Sequence, residues 1–267
     1  MCIAVFLWKA HPLYPFLLLL NRDEFHNRPS KGLHWWEDRE IVGGRDVLAG
    51  ATWLGCTKDG RLAFLTNVRE LDRLPHPKTR GDLPVRFLQS RKSPMEFAQE
   101  VAAEANQYNG FNLVLVDLSS KTIFYVTNRP KEKNVTVEEV RPGIHVLSNA
   151  RLDSPWPKAL RLSQSFKEEL DMYGEGEFPI IEMVDKLMIN SVKDEDESML
   201  PHIYPVEWEY LASSIFVSME REGVRYGTTS ISAVSARTDG KVAFYQRYLE
   251  EETWNEETVS FQLETTM

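Results

Sequence analysis

The chain has 267 residues, with 31 Lys and Arg against 40 Asp and Glu, for a formal charge of −9, which argues against nucleic acid or an anionic membrane as a partner. At 42% hydrophobic and 11% aromatic residues, disorder is excluded, and a chain of this length buries enough surface to need no disulfide staple. Its two cysteines, Cys2 and Cys56, exclude a disulfide framework and fit a reducing compartment, so a soluble cytoplasmic protein is expected.

The apolar N-terminus does not read as an export signal or a membrane span. Lys9, His11, Pro12 and Pro15 break it, no basic segment precedes it, and Asn21-Arg22-Asp23-Glu24 stands where a small-residue cleavage site belongs. It reads as two buried strands, 2–8 and 15–20, joined by a turn through His11 and Pro12. Segments 51–57 and 61–67 form a hairpin across Lys58-Asp59-Gly60, because Asp-Gly supplies the positive φ of a tight turn. Residues 70–82, with Pro75 and Pro77, are a loop. Helices follow over 83–90 and 94–108, the second with Ser93 as N-cap and Glu96 at capping-box spacing. Strands are expected at 111–118, 122–127 and 144–148. Two more helices, 156–173 and 179–189, come next, the first read from Leu160, Leu162, Phe166 and Leu170. Strands at 213–219, 228–236, 241–248 and 258–263 finish the chain.

Strands, then helices, then strands, without β-α-β alternation, indicate an α+β fold with mainly antiparallel sheets. No repeat or low-complexity linker interrupts it. One domain spanning residues 1–267 is expected, the alternative being a boundary near 190–205. The acidic patches at 194–197 and 250–252 are solvated loops.

Cys2 is the first candidate for chemistry. With Met1 removed, its thiol lies beside its own α-amine, which can act as general base for the nucleophile of its own residue. Taken alone, Cys2 also fits a buried strand cysteine. A hairpin of the first two strands returns Arg22 and Asp23 to the end where Cys2 begins. There the arginine would depress the thiol pKa and the aspartate would hold the α-ammonium group. Asn67 and Asn149 each close a strand, where a carboxamide N–H can stabilise an oxyanion or simply make a turn. The six histidines show no metal-ligand spacing, and there is no C-x-x-C or C-x-x-C-H. Gly43-Gly44 and Gly110 make no phosphate loop. Trp35, Trp36, Trp53 and Trp156 fit core packing.

Met1-Cys2-Ile3, Asn21-Arg22-Asp23-Glu24 and Arg28-Pro29 resemble the opening of the NRDE family, also called the transport and Golgi organisation protein two family. The resemblance continues through Gly44-Arg45-Asp46, Gly50-Ala51-Thr52-Trp53-Leu54-Gly55, Thr66-Asn67 and Arg80-Gly81-Asp82-Leu83. Tyr108-Asn109-Gly110-Phe111-Asn112-Leu113, Leu147-Ser148-Asn149-Ala150, Pro155-Trp156-Pro157-Lys158 and Tyr226-Gly227-Thr228 complete it. It implies an N-terminal nucleophile (Ntn) hydrolase-like fold, a four-layer αββα sandwich of two mainly antiparallel sheets. In the cysteine branch of that superfamily an N-terminal Cys attacks an amide. Carried over by residue, Cys2 matches the nucleophile, Arg22 or Asp23 the charged pair beside it, Asn149 the oxyanion asparagine, and Asn67 a second one. Where the family reads Tyr-Gly-Thr-Arg, this chain has Thr229, and Arg225 is the candidate to replace the lost charge.

Three functional readings stay open. The first is cysteine-dependent hydrolysis of a small N-acyl amide, which requires no cofactor. The second is a non-enzymatic carrier or trafficking protein for haem or an acyl lipid. The third is a scaffold with a vestigial site. The family resemblance also implies haem trafficking, lipid homeostasis and peripheral association with Golgi or mitochondria.

Overall fold

The first two apolar runs pair as an antiparallel hairpin of β1 (Ile3–Trp8) and β2 (Phe16–Phe25), with Ile3 opposite Asn21 and Leu7 opposite Leu17. Every residue of β1 is buried. This is why it reads as a continuous apolar run rather than an alternating one. The computed structural model describes residues 2–37, 40–221 and 223–264. After the hairpin come β3 (Ser30–Trp35), β4 (Ile41–Asp46), β5 (Leu54–Thr57), β6 (Arg61–Asn67), α1 (Asp82–Gln89) and α2 (Pro94–Glu104). Next are β7 (Phe111–Asp117), β8 (Thr122–Thr127), β9 (Thr136–Glu139), β10 (Gly143–Leu147), α3 (Pro157–Tyr173), α4 (Ile180–Met183) and α5 (Val206–Leu211). Four strands close the chain: β11 (Ser218–Arg221), β12 (Val224–Ala236), β13 (Lys241–Glu250) and β14 (Thr253–Gln262).

The chain gathers into two compact units. One comprises Met1–Arg28, Pro142–Ser148 and Leu152–Ser260, the other Pro29–Arg141, Asn149–Arg151 and Phe261–Met267. The segment 190–205 falls inside the first. In that unit the sheet runs β10-β1-β2-β12-β13-β14, with β11 added on β12. Its core joins Ile3, Val5 and Leu7 of β1 and Leu17 and Leu19 of β2 to Leu162 and Phe166 of α3 and to Met183, Val184 and Met188 at and after α4. Pro157 occupies the first turn of α3, and Gly174, at φ +55°, ends it. The buried stripe of α3 is Ala159, Leu162 and Phe166, whereas Leu160 is 52% exposed. Positions 160 and 162 lie about 200° apart around a helix, so a stripe through both was geometrically inconsistent. The expected helix over 179–189 is α4 followed by a π-turn at Val184–Met188.

The second unit is a meander in which β3 to β9 lie side by side in chain order, with antiparallel pairing. Leu83 and Phe87 of α1 and Phe97 and Val101 of α2 pack on Ala63, Leu65, Leu113, Leu115 and Val126 of its strands. The capping box at α2 is made: Glu96 N–H donates to Ser93 Oγ at 3.3 Å, and Ser93 N–H donates to Glu96 Oε2 at 2.8 Å. Gly60 takes φ +92° in the β5–β6 turn, as Asp-Gly predicts. The proline-bearing loop is tethered by its neighbours, with Leu74 N–H donating to Asn109 Oδ1 at 2.8 Å.

Strands β3, β4 and β9 escape sequence reading because their residues are polar or glycine-rich and take strand form through their neighbours in the sheet. The largest difference concerns β2. Asn21 to Phe25 do not follow the strand but continue it, paired with β12 from Asn21–Ile231 to Phe25–Tyr226. Four polar residues persist in a strand because each buried one has a partner there.

Candidate active site

Cys2 lies one residue before β1, past the Ile3–Asn21 rung, and is 8% exposed. Its Sγ is 4.0 Å from the Asp23 carbonyl oxygen, and its own carbonyl accepts from Ser148 Oγ at 3.0 Å, just beyond β10. The hairpin register therefore brings Cys2, Arg22 and Asp23 together, as the sequence reading expects. Burial pushes the Cys2 thiol up; the Asp23 charge acts in the same direction and Arg22 against it. Arg22 thus acts with the expected sign, but desolvation outweighs it.

Arg22 and Asp23 are each 5% exposed. The Arg22 guanidinium donates from Nη1 to Thr229 Oγ1 at 3.2 Å, and its Nη2 lies 3.8 Å from Glu24 Oε2. Glu24 also faces Arg28, at 3.7 Å. Asp23 Oδ1 accepts a hydrogen bond from Thr228 Oγ1 at 2.7 Å. Both threonines are placed by a bulge in β12, where Thr228 pairs with Asp23 and Ser230 with Arg22, leaving Thr229 as the extra residue. The sequence reading missed Thr228 and Thr229 as site residues. The available signal was the departure at Thr229 itself, a short hydroxyl that accepts from Arg22 where the resemblance implies an arginine.

Asn21, the first residue of the same motif, has a different job. It is 0% exposed, and its Nδ2 donates to Met188 O at 2.8 Å and Ile215 O at 3.0 Å, tying β2 to two chain segments behind it.

The two candidate asparagines also meet, within the second unit. Asn149 is buried and donates from Nδ2 to the Asn67 carbonyl at 2.8 Å, while its own carbonyl accepts from Arg69 N–H at 2.8 Å. Asn67 ends β6 with its side chain exposed. Asn112, which sequence reading left without a role, is 0% exposed and donates to the Ala150 carbonyl at 2.8 Å. Tyr125 OH donates to its Oδ1 at 2.7 Å. An asparagine inside an apolar strand was the signal for that anchor.

Arg225 does not join the cluster. It lies three residues before Thr228 on β12, opposite Glu220 of β11, and its guanidinium pairs with Glu252. The charge absent at Thr229 is not restored through it.

A model of the family described as Transport and Golgi organisation 2 (TANGO2) matches residues 1–251. The chain belongs to this family. The mouse Transport and Golgi organization 2 homolog is 31% identical over 289 aligned residues, covering 99% of this TANGO2-family chain and 100% of the mouse protein. Two variants of the conjugated bile acid hydrolase from Clostridium perfringens superpose with TM-scores of 0.54 and 0.52 at 12% and 11% identity, covering all of this chain and 98% of theirs. At that identity the likeness concerns the fold, which is Ntn-hydrolase-like as the resemblance implied. Among the described residues no helix is long and apolar enough to cross a membrane.

Proposed function

We propose that this TANGO2-family protein is an N-terminal cysteine amidohydrolase acting on a small N-acyl amide. The observation that carries the reading is that two charged residues, Arg22 and Asp23, are buried across the hairpin from Cys2. A burial this deep costs several kcal/mol per charge before pairing, an unusual expense beside a cysteine unless the charges serve it. In the reaction the α-amine of Cys2 takes the thiol proton as the sulfur attacks the amide carbon. The C–N bond then breaks, the leaving amine takes that proton, and a thioester remains on Cys2. Water, deprotonated by the α-amine, cleaves the thioester and releases the acid. Arg225, paired with Glu252, has no role in this reading. Met1, whose removal frees the α-amine, lies outside the described residues. The Clostridium perfringens proteins of similar fold are named conjugated bile acid hydrolases, which agrees with a hydrolytic reading.

A second reading is that the same residues hold haem or an acyl lipid without chemistry; the burial that keeps the Cys2 thiol protonated counts against a ready nucleophile. The TANGO2 name is consistent with such a trafficking role and with peripheral association with the Golgi. Intact mass and iodoacetamide labelling separate the two. The hydrolase reading expects loss of Met1 and alkylation of Cys2 at pH 8 well ahead of Cys56, whose thiol burial alone pushes above the usual range. Retained Met1, or equal labelling of the two thiols, overturns it. A saturable haemin spectral shift lost in Cys2→Ala would then support the carrier.

A further inference from the structure

Thr228 stands where two chain segments and the Asp23 carboxylate converge. Its backbone N–H donates to the Val217 carbonyl at 2.8 Å, and the Val217 N–H donates back to Thr228 Oγ1 at 3.0 Å. A hydroxyl has one proton to give, and with Oγ1 accepting from Val217 that proton goes to Asp23 Oδ1, at 2.7 Å. The approach of Val217 depends on the preceding glycine, since a Cβ on Gly227 would fall 2.2 Å from the Val217 carbonyl oxygen. Thr228 is 2% exposed and β-branched, so its hydroxyl has little rotational freedom. We propose that Thr228 is a positioning residue for the chemistry of Cys2, acting through Asp23: its hydroxyl fixes the orientation of the carboxylate and spreads its charge.

This inference rests on Cys2 being the nucleophile. The charged groups facing Cys2 are its own α-amine once Met1 is removed, and Arg22 and Asp23 of β2, the Asp23 backbone carbonyl lying 4.0 Å from Sγ. β10 contributes Ser148 just past its end, and β12 contributes Thr228 and Thr229 as hydroxyls. An Asp23 carboxylate stripped of its Thr228 donor carries a more concentrated negative charge, which holds the neighbouring thiol more firmly in its protonated form.

The test is the pH–rate profile of iodoacetamide alkylation at Cys2 in the full-length protein, with Cys56 as internal reference. Thr228→Val, which keeps the shape and removes the hydroxyl, is expected to slow Cys2 alkylation at pH 8 by about three- to tenfold and shift the profile upward. Thr228→Ser, which keeps the hydroxyl, is expected to restore the wild-type profile whether or not the valine variant folds. In an Asp23→Asn background the Thr228→Val effect should disappear, because the two act as one unit. A wild-type profile in Thr228→Val, an equal shift in Thr228→Ser, or an undiminished effect in Asp23→Asn overturns the positioning role while leaving the nucleophile intact. Alkylation of wild-type Cys2 no faster than Cys56 overturns both.

Discussion

Replacing Asn21 by Leu or by Asp should destabilise the protein through two mechanisms that pH separates. Asn21 is 0% exposed and gives both Nδ2 protons to backbone carbonyls, Met188 O at 2.8 Å and Ile215 O at 3.0 Å. Leu fills a similar volume but leaves two buried carbonyls without a donor. At about 1–3 kcal/mol for each unsatisfied group, the cost is about 2–6 kcal/mol. For a chain of this size each kcal/mol corresponds to about 2–4 °C in Tm, so the loss should exceed about 4 °C and be independent of pH. Asp also fills the site, but aims carboxylate oxygens at the two carbonyls. The buried acid can keep one of the two bonds only by staying protonated, so its folded-state pKa must lie above the unfolded value of about 3.9. Because the folded state then binds the extra proton, stability falls as pH rises from about 4 toward the raised pKa, by about 1.4 kcal/mol per unit. Urea denaturation of wild type, Asn21→Leu and Asn21→Asp between pH 4 and 8 measures this directly. A pH-independent deficit in the Asp variant, or two variants within about 0.5 kcal/mol of wild type, would refute the argument that Asn21 is a structural clasp.

Two further outcomes can be checked alongside. Glu70 is desolvated, which favours its neutral form, but the hydrogen bonds from Arg129 and the Gly110 N–H outweigh this and hold its carboxyl below the usual range. The stabilisation is therefore present above the unfolded carboxyl pKa and lost as pH falls through the lower folded value. Glu70→Gln should be less stable than wild type at pH 7, with the gap narrowing as pH falls below about 4 in acid titration; a gap that does not narrow in acid would contradict it. Arg225→Ala breaks an exposed pair with Glu252 and should cost at most about 1 kcal/mol. Cys2 alkylation should be unchanged in this variant, and a severalfold drop would return Arg225 to the site.

Local structure was legible where a single segment carries its own reason. The α2 capping box, the Asp-Gly turn and the apolar runs of β1 and β7 all depend on residues a few positions apart. The Asn-Arg-Asp-Glu motif was legible as important but not as a strand. Its charges fit a turn until Thr228 and Thr229, more than 200 residues later, supply the partners that let Arg22 and Asp23 stay buried. The helix stripe through Leu160 failed for a simpler reason, a spacing that does not match 3.6 residues per turn.

The sequence by itself determined the family, the α+β class and the candidate status of Cys2, because motif order and hydrophobic pattern are properties of the chain. It also marked Arg22, Asp23 and Asn149 for attention. Tertiary structure decided what each polar residue does: Asn21 clasps, Arg22 and Asp23 face Cys2, and Arg225 turns to Glu252. It also revealed that burial raises the Cys2 thiol while a bulge in β12 delivers two hydroxyls to its charged neighbours. Those outcomes depend on desolvation and long-range register, which arise only when distant strands pair.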